Sequence, residues 1–456
     1  MKKALTIAGS DSSGGAGIQA DIKTFSALGF YCSTVITILT AQNTETVSDI
    51  FITPSKFFRN QLSFTINDIK PDIIKIGVLY DNSIIDVVHD SLFQSKIPIV
   101  LDPVLFSGTG IKLLKDSAYD NFKKKIIPIS LIITPNLQEA EILSGNIISS
   151  EKELIESAYK IIELGINNVI IKGGYDMAAN SKIFDILLEK DSNSITKVYN
   201  NRLKIGETHG TGCNFSSSLA SFIGKGYKIK ESFFLANAYV KEGLMNVQKI
   251  GKGVGITNPL FNLYENSSKY KILYNLNDSI KILEEIKNFY LLIPETKTNF
   301  VYSLENPKNH ADVAGVLGRI TNMGEKIRTP NVVEFGASSH VANAVISANR
   351  FNKLLRAAIN IKNDDKILEI CKTNFTCSFY SREDEPQENK NKEGLSISWG
   401  IRIALEKIPD AEIVFHSGDY GKEPMIILFG KNPQDIIDKI KIIIYHLAKT
   451  NVLNNN

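Results

Sequence analysis

The chain has few cysteines, and they are widely spaced. Four occur in 456 residues, at positions 32, 213, 371 and 377, and no Cys-x-x-Cys pair is present. Thiol metal sites and disulfide frameworks need cysteines at close, regular spacings, so we expect neither. Isolated thiols are typical of proteins from a reducing compartment, and we expect a cytoplasmic location.

Strong net charge and long apolar runs are also lacking. The 52 basic and 49 acidic residues leave a formal charge of +3, which gives no reason to expect a nucleic-acid partner. No run approaches the ~18 apolar residues of a membrane span, and no apolar signal segment precedes the first predicted strand at residue 4. With 43% apolar and 22% charged residues, the composition is that of a globular protein. Its partners are therefore expected to be small molecules.

A glycine-rich stretch at residues 207–213 leads into a run of small residues that predicts a helix. Gly210 and Gly212 let backbone N–H groups converge, and a helix start adds free donors and partial positive charge. Such a hollow suits a phosphate or a developing oxyanion. Cys213, in the first helical turn, is expected to have its thiol pKa lowered from about 8.5, which makes it a candidate general base. The alternative is a small buried side chain beside a turn.

Short apolar strands alternate with amphipathic helices through the first half of the chain. This pattern predicts an α/β domain with a parallel sheet covered on both faces. The loop at residues 9–17 is glycine-rich but fits neither the dinucleotide-binding nor the P-loop motif. Ligands of such sheets bind beyond the carboxyl ends of the strands. The predicted strands are 4–8, 33–40, 73–77, 97–101, 130–134 and 169–171.

Polar residues follow several of these strands. Asp102 and Glu139 suit hydrated Mg²⁺, which binds carboxylates together with phosphate oxygens. Lys172 suits the charge of a transferred phosphoryl group, and Asn136 stands in the same kind of position. Gln42 can both donate to and accept from a polar heterocycle, although an ordinary turn explains it equally well.

Several motifs of the first half resemble the hydroxymethylpyrimidine/phosphomethylpyrimidine kinases of thiamine biosynthesis. The resemblance covers roughly residues 1–258. It implies the ribokinase-like fold, a doubly wound, mostly parallel sheet with helices on both faces. It also implies ATP-dependent phosphorylation of 4-amino-5-hydroxymethyl-2-methylpyrimidine and then of its monophosphate, by a homo-oligomer that is a dimer through the kinase domain. The motifs are 8–24, 40–44, 134–140, 172–174 and 208–213.

The same resemblance implies roles for individual residues. Gly9, Asp21 and Gln42 would face the pyrimidine, and Cys213 would be the base where sugar kinases of this fold carry Asp. Asn237 stands where many relatives carry Lys, so no ATP contact is assigned to it. Asp102 and Glu139 would also bind Mg²⁺. The residues expected at ATP and its phosphates are Asp102, Asn136, Glu139, Lys172, Thr208, Gly210 and Gly212.

The second half resembles the archaeal-type thiamine-phosphate synthase domain, over about residues 280–450. The resemblance implies that the pyrimidine diphosphate is coupled to thiazole phosphate with release of pyrophosphate, and that Arg319 and His340 are the functional pair. Asn, Lys, Tyr and Ser crowd the preceding segment. We therefore predict a kinase domain at 1–258, a linker at 259–278 and a separate C-terminal α/β domain at 279–456. The other motifs that carry the resemblance to the synthase domain are Ile293–Glu295, Asn299, Glu385–Pro386 and Gly418–Pro424.

Two alternatives stay open at this point. In the first alternative, the C-terminal domain only senses thiamine phosphate and regulates the kinase. Retention of the Arg and His pair at Arg319 and His340 argues against it, because sensors of this family lack that pair. In the second alternative, the first domain phosphorylates pyridoxal or a sugar and not the pyrimidine. Cys213 in place of Asp, together with Gln42, argues against that substrate class.

Overall fold

The computed structural model divides into two units, Met1–Tyr264 and Glu265–Asn456, and each is described by itself. Among the helices of the described residues, none is both long and apolar enough to cross a lipid bilayer. The residues described are 1–108, 110–175, 182–201, 203, 205–386, 395–419 and 421–453.

A sheet of nine strands, counted among the described residues, forms the frame of the first unit. Its order is β3-β2-β1-β4-β5-β6-β7-β8-β9. The pairs from β2 to β7 are parallel, whereas β3, β8 and β9 add antiparallel edges. The mostly parallel sheet predicted from the apolar runs is confirmed. The strands are β1 Lys2–Asp11, β2 Phe30–Gln42, β3 Val47–Ile52, β4 Ile73–Ile76, β5 Ile99–Leu101, β6 Ile132–Ile133, β7 Asn168–Tyr175, β8 Lys182–Glu189 and β9 Ser194–Asn201, with a separate pair β10 Thr208–His209 and β11 Gly255–Ile256.

Helices cover both faces of this sheet. Successive residues of a strand point to opposite sides, so the side chains on both sides of the strands are covered. Ile74 and Ile76 of β4 join one hydrophobic cluster, and Ile73 joins the other. All three are fully buried, as strands of a doubly covered sheet must be. The helices are α1 Gly17–Ala27, α2 Ser55–Ile69, α3 Asn82–Leu92, α4 Tyr119–Asn121 (continued by a π-helical turn, Phe122–Ile126), α5 Leu137–Ser144, α6 Glu151–Ile162, α7 Thr211–Gly224 and α8 Ile229–Met245.

The segment predicted to be a linker is largely helical. Helix α9 spans Phe261–Glu285 and therefore includes most of the segment 259–278 that was predicted to be a linker. Its buried side chains, which recur at helical spacing, form an apolar stripe. In the sequence, Asn, Lys, Tyr and Ser residues lie between these apolar positions, and the helical spacing of the apolar residues is therefore hard to recognise. The stripe consists of Ile272, Leu276, Ile280 and Leu283.

We predict that Leu276→Ala destabilises the second unit by about 2–5 kcal/mol, since Leu276 is fully buried in its core and truncation leaves a cavity. The measurement is the free energy of unfolding from the urea transition of that unit. Tyr274→Ala, at a side chain that is 61% exposed on the same helix, is the control and should change it by about 0.5 kcal/mol or less. Equal losses in the two variants would contradict the packing described for α9.

The second unit is built on a seven-stranded sheet, counted among the described residues, in the order β16-β13-β12-β17-β20-β19-β18. All neighbours are antiparallel except β18 and β19. Hydrophobic clusters again occupy both faces. Its strands are β12 Phe300–Ser303, β13 Val313–Val316, β16 Val333–Phe335, β17 Ala357–Lys362, β18 Cys377–Phe379, β19 Ile413–His416 and β20 Met425–Gly430, with a separate antiparallel pair β14 Thr321–Met323 and β15 Lys326–Arg328. The helices are α10 His340–Phe351, α11 Asp365–Asn374, α12 Leu395–Lys407 and α13 Pro433–Leu453.

Candidate active sites

A cavity of about 300 Å³ opens at the carboxyl edge of the parallel strands in the first unit. The ends of β1, β4, β5, β6 and β7 and the start of α7 contribute its walls. Of the residues assigned to this unit from the sequence, only Asp21 is missing from the lining. The assigned residues that line the cavity are Gly9, Gln42, Asp102, Asn136, Glu139, Lys172, Thr208, Gly210, Gly212 and Cys213.

The start of α7 forms a bare helix end at this cavity. Gly210 is its N-cap, with a φ of +83°, and no side chain caps the first turn. A Cβ atom at Gly210 would lie 1.9 Å from the carbonyl oxygen of Gly15, so only glycine fits between these two loops. The N–H groups of the first turn therefore face the cavity wall without a side-chain acceptor, which is the arrangement that binds anions.

The thiol of Cys213 lies in this first turn, but its pKa is not lowered. Burial raises it to about 12, the carboxylates of Asp21 and Asp102 add to the rise, and the ammonium of Lys75 opposes it. The expected lowering was wrong because desolvation of the thiolate outweighs the favourable helix end. In this form of the protein the Sγ atom carries its proton at neutral pH.

Asp21 does not face the cavity, contrary to the expectation from the family resemblance. It belongs to α1 and is fully buried, and both of its oxygens lie 3.0 Å from the Nζ of Lys75. Thr6 and Ser217 donate to the same carboxylate at 2.6 Å. Lys75, also fully buried, lines the cavity in its place. Sequence reasoning missed Lys75, although a single lysine within the isoleucines of β4 was a usable signal.

Breaking this buried pair is expected to be costly. Asp21→Asn should lower the free energy of unfolding of the first unit by about 3–5 kcal/mol, because it leaves the Lys75 charge buried without a counter-ion. Adding Lys75→Met should recover part of the loss. Asp90→Asn removes a partner from an exposed ion pair with Arg59 and should cost at most about 1 kcal/mol. If Asp21→Asn and Asp90→Asn unfold at the same urea concentration, the pair carries no special stability.

The strand-end charges form one group. The Nζ of Lys172 lies 3.3 Å from Asp102 Oδ1, and Ser216 donates to Oδ2 at 3.1 Å. Burial disfavours the charge of Asp102, yet Lys172 and Lys75 hold its pKa below the usual range. For Glu139, burial raises the pKa to about 7, and the charge of Lys172 only partly offsets it. The two carboxyl groups therefore differ in protonation near neutral pH.

Glu139 also has a structural role. Its Oε2 accepts from the backbone N–H of Asn136 at 2.9 Å, and the Asn136 side chain accepts from the N–H of Glu139 at 2.9 Å. This reciprocal capping box begins α5. Asn136 thus orients Glu139 at the cavity wall.

The donor set fits a magnesium ion that arrives with a nucleotide. Within the part of the chain that the structure describes, no group of three or more His, Cys, Asp or Glu side chains could hold a metal by itself. Mg²⁺, however, is usually held by one or two carboxylates together with substrate phosphates and water. Asp102 and Glu139, which line the same cavity, supply two such carboxylates.

A second polar group at the cavity was not predicted. The Nε2 of His209 lies 2.9 Å from Asp11 Oδ2 and 3.1 Å from the side-chain nitrogen of Gln42. Burial works against the charge of Asp11, but hydrogen bonds from His209, Ser13 and Ala16 lower its pKa to about 2. His209 lay inside a recognised motif, and this was the only signal for it. Gln42 is therefore oriented by the hydrogen-bonded pair of His209 and Asp11.

A cavity of about 400 Å³ in the second unit brings Arg319 and His340 into one lining. Arg319 follows β13 with a φ of +70°, and its Nη1 donates to the carbonyl oxygen of Thr296 at 2.6 Å. His340 begins α10. Both side chains are exposed at the rim, where Lys297 and Lys422 also line the cavity. The rim is therefore rich in cationic groups.

The inner wall of the same cavity includes Arg382 and His416. Glu385 lies beside Arg382, with 3.5 Å between its Oε2 and the Nη2 of the arginine. The Nδ1 of His416 accepts from the N–H of Gly418 at 3.1 Å. Burial lowers the pKa of His416 to about 4, and the charge of Arg382 contributes. The imidazole is therefore neutral at physiological pH. No role was predicted for Arg382 or His416 from the sequence.

Comparison with known proteins relates each half to a separate family. A family model described as phosphomethylpyrimidine kinase matches residues 11–258, and one described as thiamine-phosphate synthase ThiN matches residues 275–442. The bifunctional thiamine biosynthesis protein ThiDN of Methanocaldococcus jannaschii is 31% identical over 96% of this chain and 97% of its own. These matches confirm both resemblances predicted from the motifs.

Two further relatives cover the first unit alone. The hydroxymethylpyrimidine/phosphomethylpyrimidine kinase of Bacillus subtilis is 38% identical over 56% of this chain and 94% of its own. Among solved structures, the pyridoxal kinase from Staphylococcus aureus in complex with AMP-PCP and pyridoxal is 31% identical, with a TM-score of 0.52 over 57% of this chain and 94% of that one. The ribokinase-like fold expected for this unit is confirmed by such kinase structures.

Proposed function

The chain belongs to the family of bifunctional thiamine biosynthesis enzymes in which a phosphomethylpyrimidine kinase domain precedes a thiamine-phosphate synthase domain, and we propose that it performs both activities. The first unit phosphorylates hydroxymethylpyrimidine and then its monophosphate with ATP. The second unit joins the resulting diphosphate to thiazole phosphate and releases pyrophosphate. The observation that supports this most strongly is the pair of separate cavities, each lined by the residues that the respective family motif supplies.

In the kinase site, we propose that positioning and charge do most of the work, as in other phosphoryl transfers. The bare start of α7 and Lys172 would bind the phosphates, and Gln42 would hold the pyrimidine. The substrate hydroxyl would transfer its proton to Cys213 Sγ. Because burial keeps that thiol protonated in the free protein, it must first release its proton to solvent before it can accept one from the substrate, and the neighbouring charge of Lys75 favours this thiolate form.

Mg²⁺ would be held by Asp102 and Glu139 and would neutralise phosphate charge during transfer. Asp102 is suited to this because Lys172 and Lys75 keep it ionised. Glu139, with a pKa of about 7, would lose its proton more readily beside a cation. The use of ATP is supported by related kinases that were crystallised with nucleotides.

In the synthase site, the bond between the pyrimidine methylene and the diphosphate breaks, and a bond from that carbon to the thiazole nitrogen forms. The electron pair leaves with pyrophosphate, so positive charge near its oxygens lowers the barrier. We propose that Arg319 supplies this charge and that His340 protonates or orients the leaving group. The cationic rim with Lys297 and Lys422 supports this assignment.

Assembly and location complete the proposal. We propose a homodimer through the kinase unit, because several large apolar side chains of β2, β3 and α2 are exposed. Leu39 pairs in register with Phe51 on neighbouring strands, and Phe57 and Phe64 lie two turns apart on α2. A cytoplasmic location stays a prediction, and the four free cysteines are compatible with it.

Charged substitutions at the exposed phenylalanines of α2 are expected to separate the dimer. Phe57→Glu combined with Phe64→Glu, at side chains 61% and 76% exposed, should convert the protein to a monomer in sedimentation velocity, because burying two carboxylates in an interface is unfavourable. Phe93→Glu, at another exposed aromatic side chain, is the matched control and should leave the dimer intact. A parent protein that sediments as a monomer would contradict the proposed assembly.

One alternative substrate has an observation in its favour, because pyridoxal kinases of known structure resemble the first unit. The test is to compare hydroxymethylpyrimidine with pyridoxal as phosphate acceptors, with ATP and Mg²⁺, and to separate the products by chromatography. The proposal predicts a higher kcat/KM for the pyrimidine and a second phosphorylation to the diphosphate. Preference for pyridoxal, or a reaction that stops at the monophosphate, would contradict it.

A further inference from the structure

The side chain of Glu423 holds a loop at the rim of the cavity in the second unit. Its Oε1 accepts from the backbone N–H of Glu295 at 2.8 Å. Its Oε2 accepts from the backbone N–H of Thr296 at 2.9 Å and from the hydroxyl of the same residue at 2.9 Å. Glu423 and Thr296 both line the cavity. We call these three hydrogen bonds the carboxylate clasp.

The clasped loop in turn holds Arg319. The carbonyl oxygen of Thr296 accepts from Arg319 Nη1 at 2.6 Å. Two backbone hydrogen bonds between Thr298 and Ile320, of 3.1 and 2.7 Å, join the same two segments further along the chain. Thr296 therefore donates to the carboxylate of Glu423 and accepts from the guanidinium of Arg319.

The backbone of both segments is strained at the residues that carry the cationic side chains. Lys297 and Arg319 have φ values of +71° and +70°, in a region that residues other than glycine seldom adopt. Such a conformation persists only where the surroundings impose it, and it is commonest at functional sites. Asn360, which is 3% exposed, donates to the carbonyl oxygen of Lys297 at 2.9 Å, and the clasp fixes the residue before Lys297. The fold therefore uses several contacts to place two cationic groups of the rim.

A carboxylate at this rim has an unfavourable effect that calls for a compensating role. Lys297, Arg319 and Lys422 line the same cavity, and the negative charge of Glu423 offsets part of their attraction for phosphate. Its two oxygens, however, already accept three hydrogen bonds from the loop. The carboxylate therefore acts on the loop, and any benefit to turnover must come through the group that the loop holds.

We propose, resting on the proposed synthase function, that Glu423 is a positioning residue for Arg319 and acts through Thr296. The clasp fixes the carbonyl oxygen that accepts from Nη1, so the guanidinium is held in one direction before the substrate binds. A guanidinium has five N–H donors, and the bond to Thr296 leaves others for the oxygens of the departing pyrophosphate. Donors fixed in advance stabilise developing charge without reorganisation in the transition state. Glu423 thereby raises the rate of coupling without touching the substrate.

The first test compares Glu423→Gln with the parent in the full-length protein, with pyrimidine diphosphate and thiazole phosphate and without ATP. Glutamine keeps the size of the side chain, but its NH₂ group would face the N–H donors of the loop. The kcat of coupling should fall roughly 10- to 100-fold, because a small misplacement of a reacting group has an effect of that order. The KM for the diphosphate should stay the same or fall, since the variant also removes a negative charge from the rim. Glu325→Gln, at an exposed residue outside the cavity lining, is the matched control and should behave as the parent.

A double-mutant cycle separates positioning from a general structural role. If Glu423 acts through Arg319, adding Glu423→Gln to Arg319→Ala should change kcat by less than about twofold, because residues that act as one unit are not additive. Thr296→Val removes only the hydroxyl donor of the clasp and should lower kcat roughly 2- to 10-fold, the usual contribution of one hydrogen bond. This side chain is exposed, so its variant tests the clasp even if Glu423→Gln lowers the melting temperature.

Losses that multiply in the double variant would overturn the proposal, and so would an unchanged or higher kcat in either clasp variant. If the parent protein couples no substrates at all, the proposed function fails, and the clasp is then tested by calorimetry with inorganic pyrophosphate. Glu423→Gln should weaken that binding roughly 10-fold through the misplaced Arg319, whereas the loss of a negative charge alone would strengthen it. Tighter binding by the variant, or no binding by the parent, would overturn the proposal.

Discussion

Cys213→Ala is expected to lower the kcat of pyrimidine phosphorylation by roughly 10²–10⁴-fold, the usual contribution of a general base. The KM for the pyrimidine should change little, because Gln42 and the other lining residues of the cavity remain. Synthase activity, assayed with added pyrimidine diphosphate, should equal that of the parent. The measurement is steady-state kinetics of ADP release. An unchanged kcat would remove Cys213 from the mechanism.

The pH dependence gives a second test of the same residue. A base acts in its deprotonated form, and burial raises the pKa of the Cys213 thiol to about 12. The kcat/KM of the parent should therefore rise with pH through the neutral range and reach no plateau there. Cys213→Asp supplies a base with a much lower pKa, so its profile should level off at lower pH. Identical profiles for the parent and both variants would mean that another group accepts the proton.

Arg319→Ala is expected to lower the kcat of coupling by roughly 10²–10³-fold, as loss of a preorganised electrostatic contact does. Binding of the diphosphate substrate should weaken far less, because the charge on the departing pyrophosphate is larger in the transition state. Arg319→Lys should rescue only in part, since an ammonium cannot hold phosphate oxygens through two parallel hydrogen bonds. Arg328→Ala, at an exposed arginine of β15, is the matched control.

His340→Asn should likewise suppress turnover while the fold and thiazole phosphate binding persist. In the full reaction, both the Arg319 and the His340 variants should accumulate pyrimidine diphosphate, because the kinase unit is untouched. Thiamine phosphate formation at the parental rate in either variant would make the pair structural. The sensor interpretation would then regain support.

Much of the kinase site could be predicted from the sequence. In a parallel sheet the carboxyl ends of neighbouring strands meet at one edge. Polar residues after separate strands, such as Asp102, Glu139 and Lys172, were therefore expected to lie together, and they line one cavity. The glycine spacing before Cys213 likewise predicted a bare helix start, which α7 has.

Side-chain direction and burial could not be predicted in the same way. Asp21 lies in a recognised motif, but its direction depends on how α1 packs on the sheet, which turned it toward Lys75. The pKa of Cys213 depends on how completely the surrounding elements exclude water, a property of the assembled unit. The cavity of the second unit combines Arg382 from a loop with His416 from β19. No local pattern connects residues so far apart in the chain.

The most direct test of the account is to incubate the full-length protein with hydroxymethylpyrimidine, thiazole phosphate, ATP and Mg²⁺, and to quantify ADP, pyrophosphate and thiamine phosphate over time. The account predicts two ADP and one pyrophosphate for each thiamine phosphate, with the pyrimidine diphosphate as a transient intermediate. Diphosphate that accumulates without thiamine phosphate, or no ADP release dependent on the pyrimidine, would contradict it.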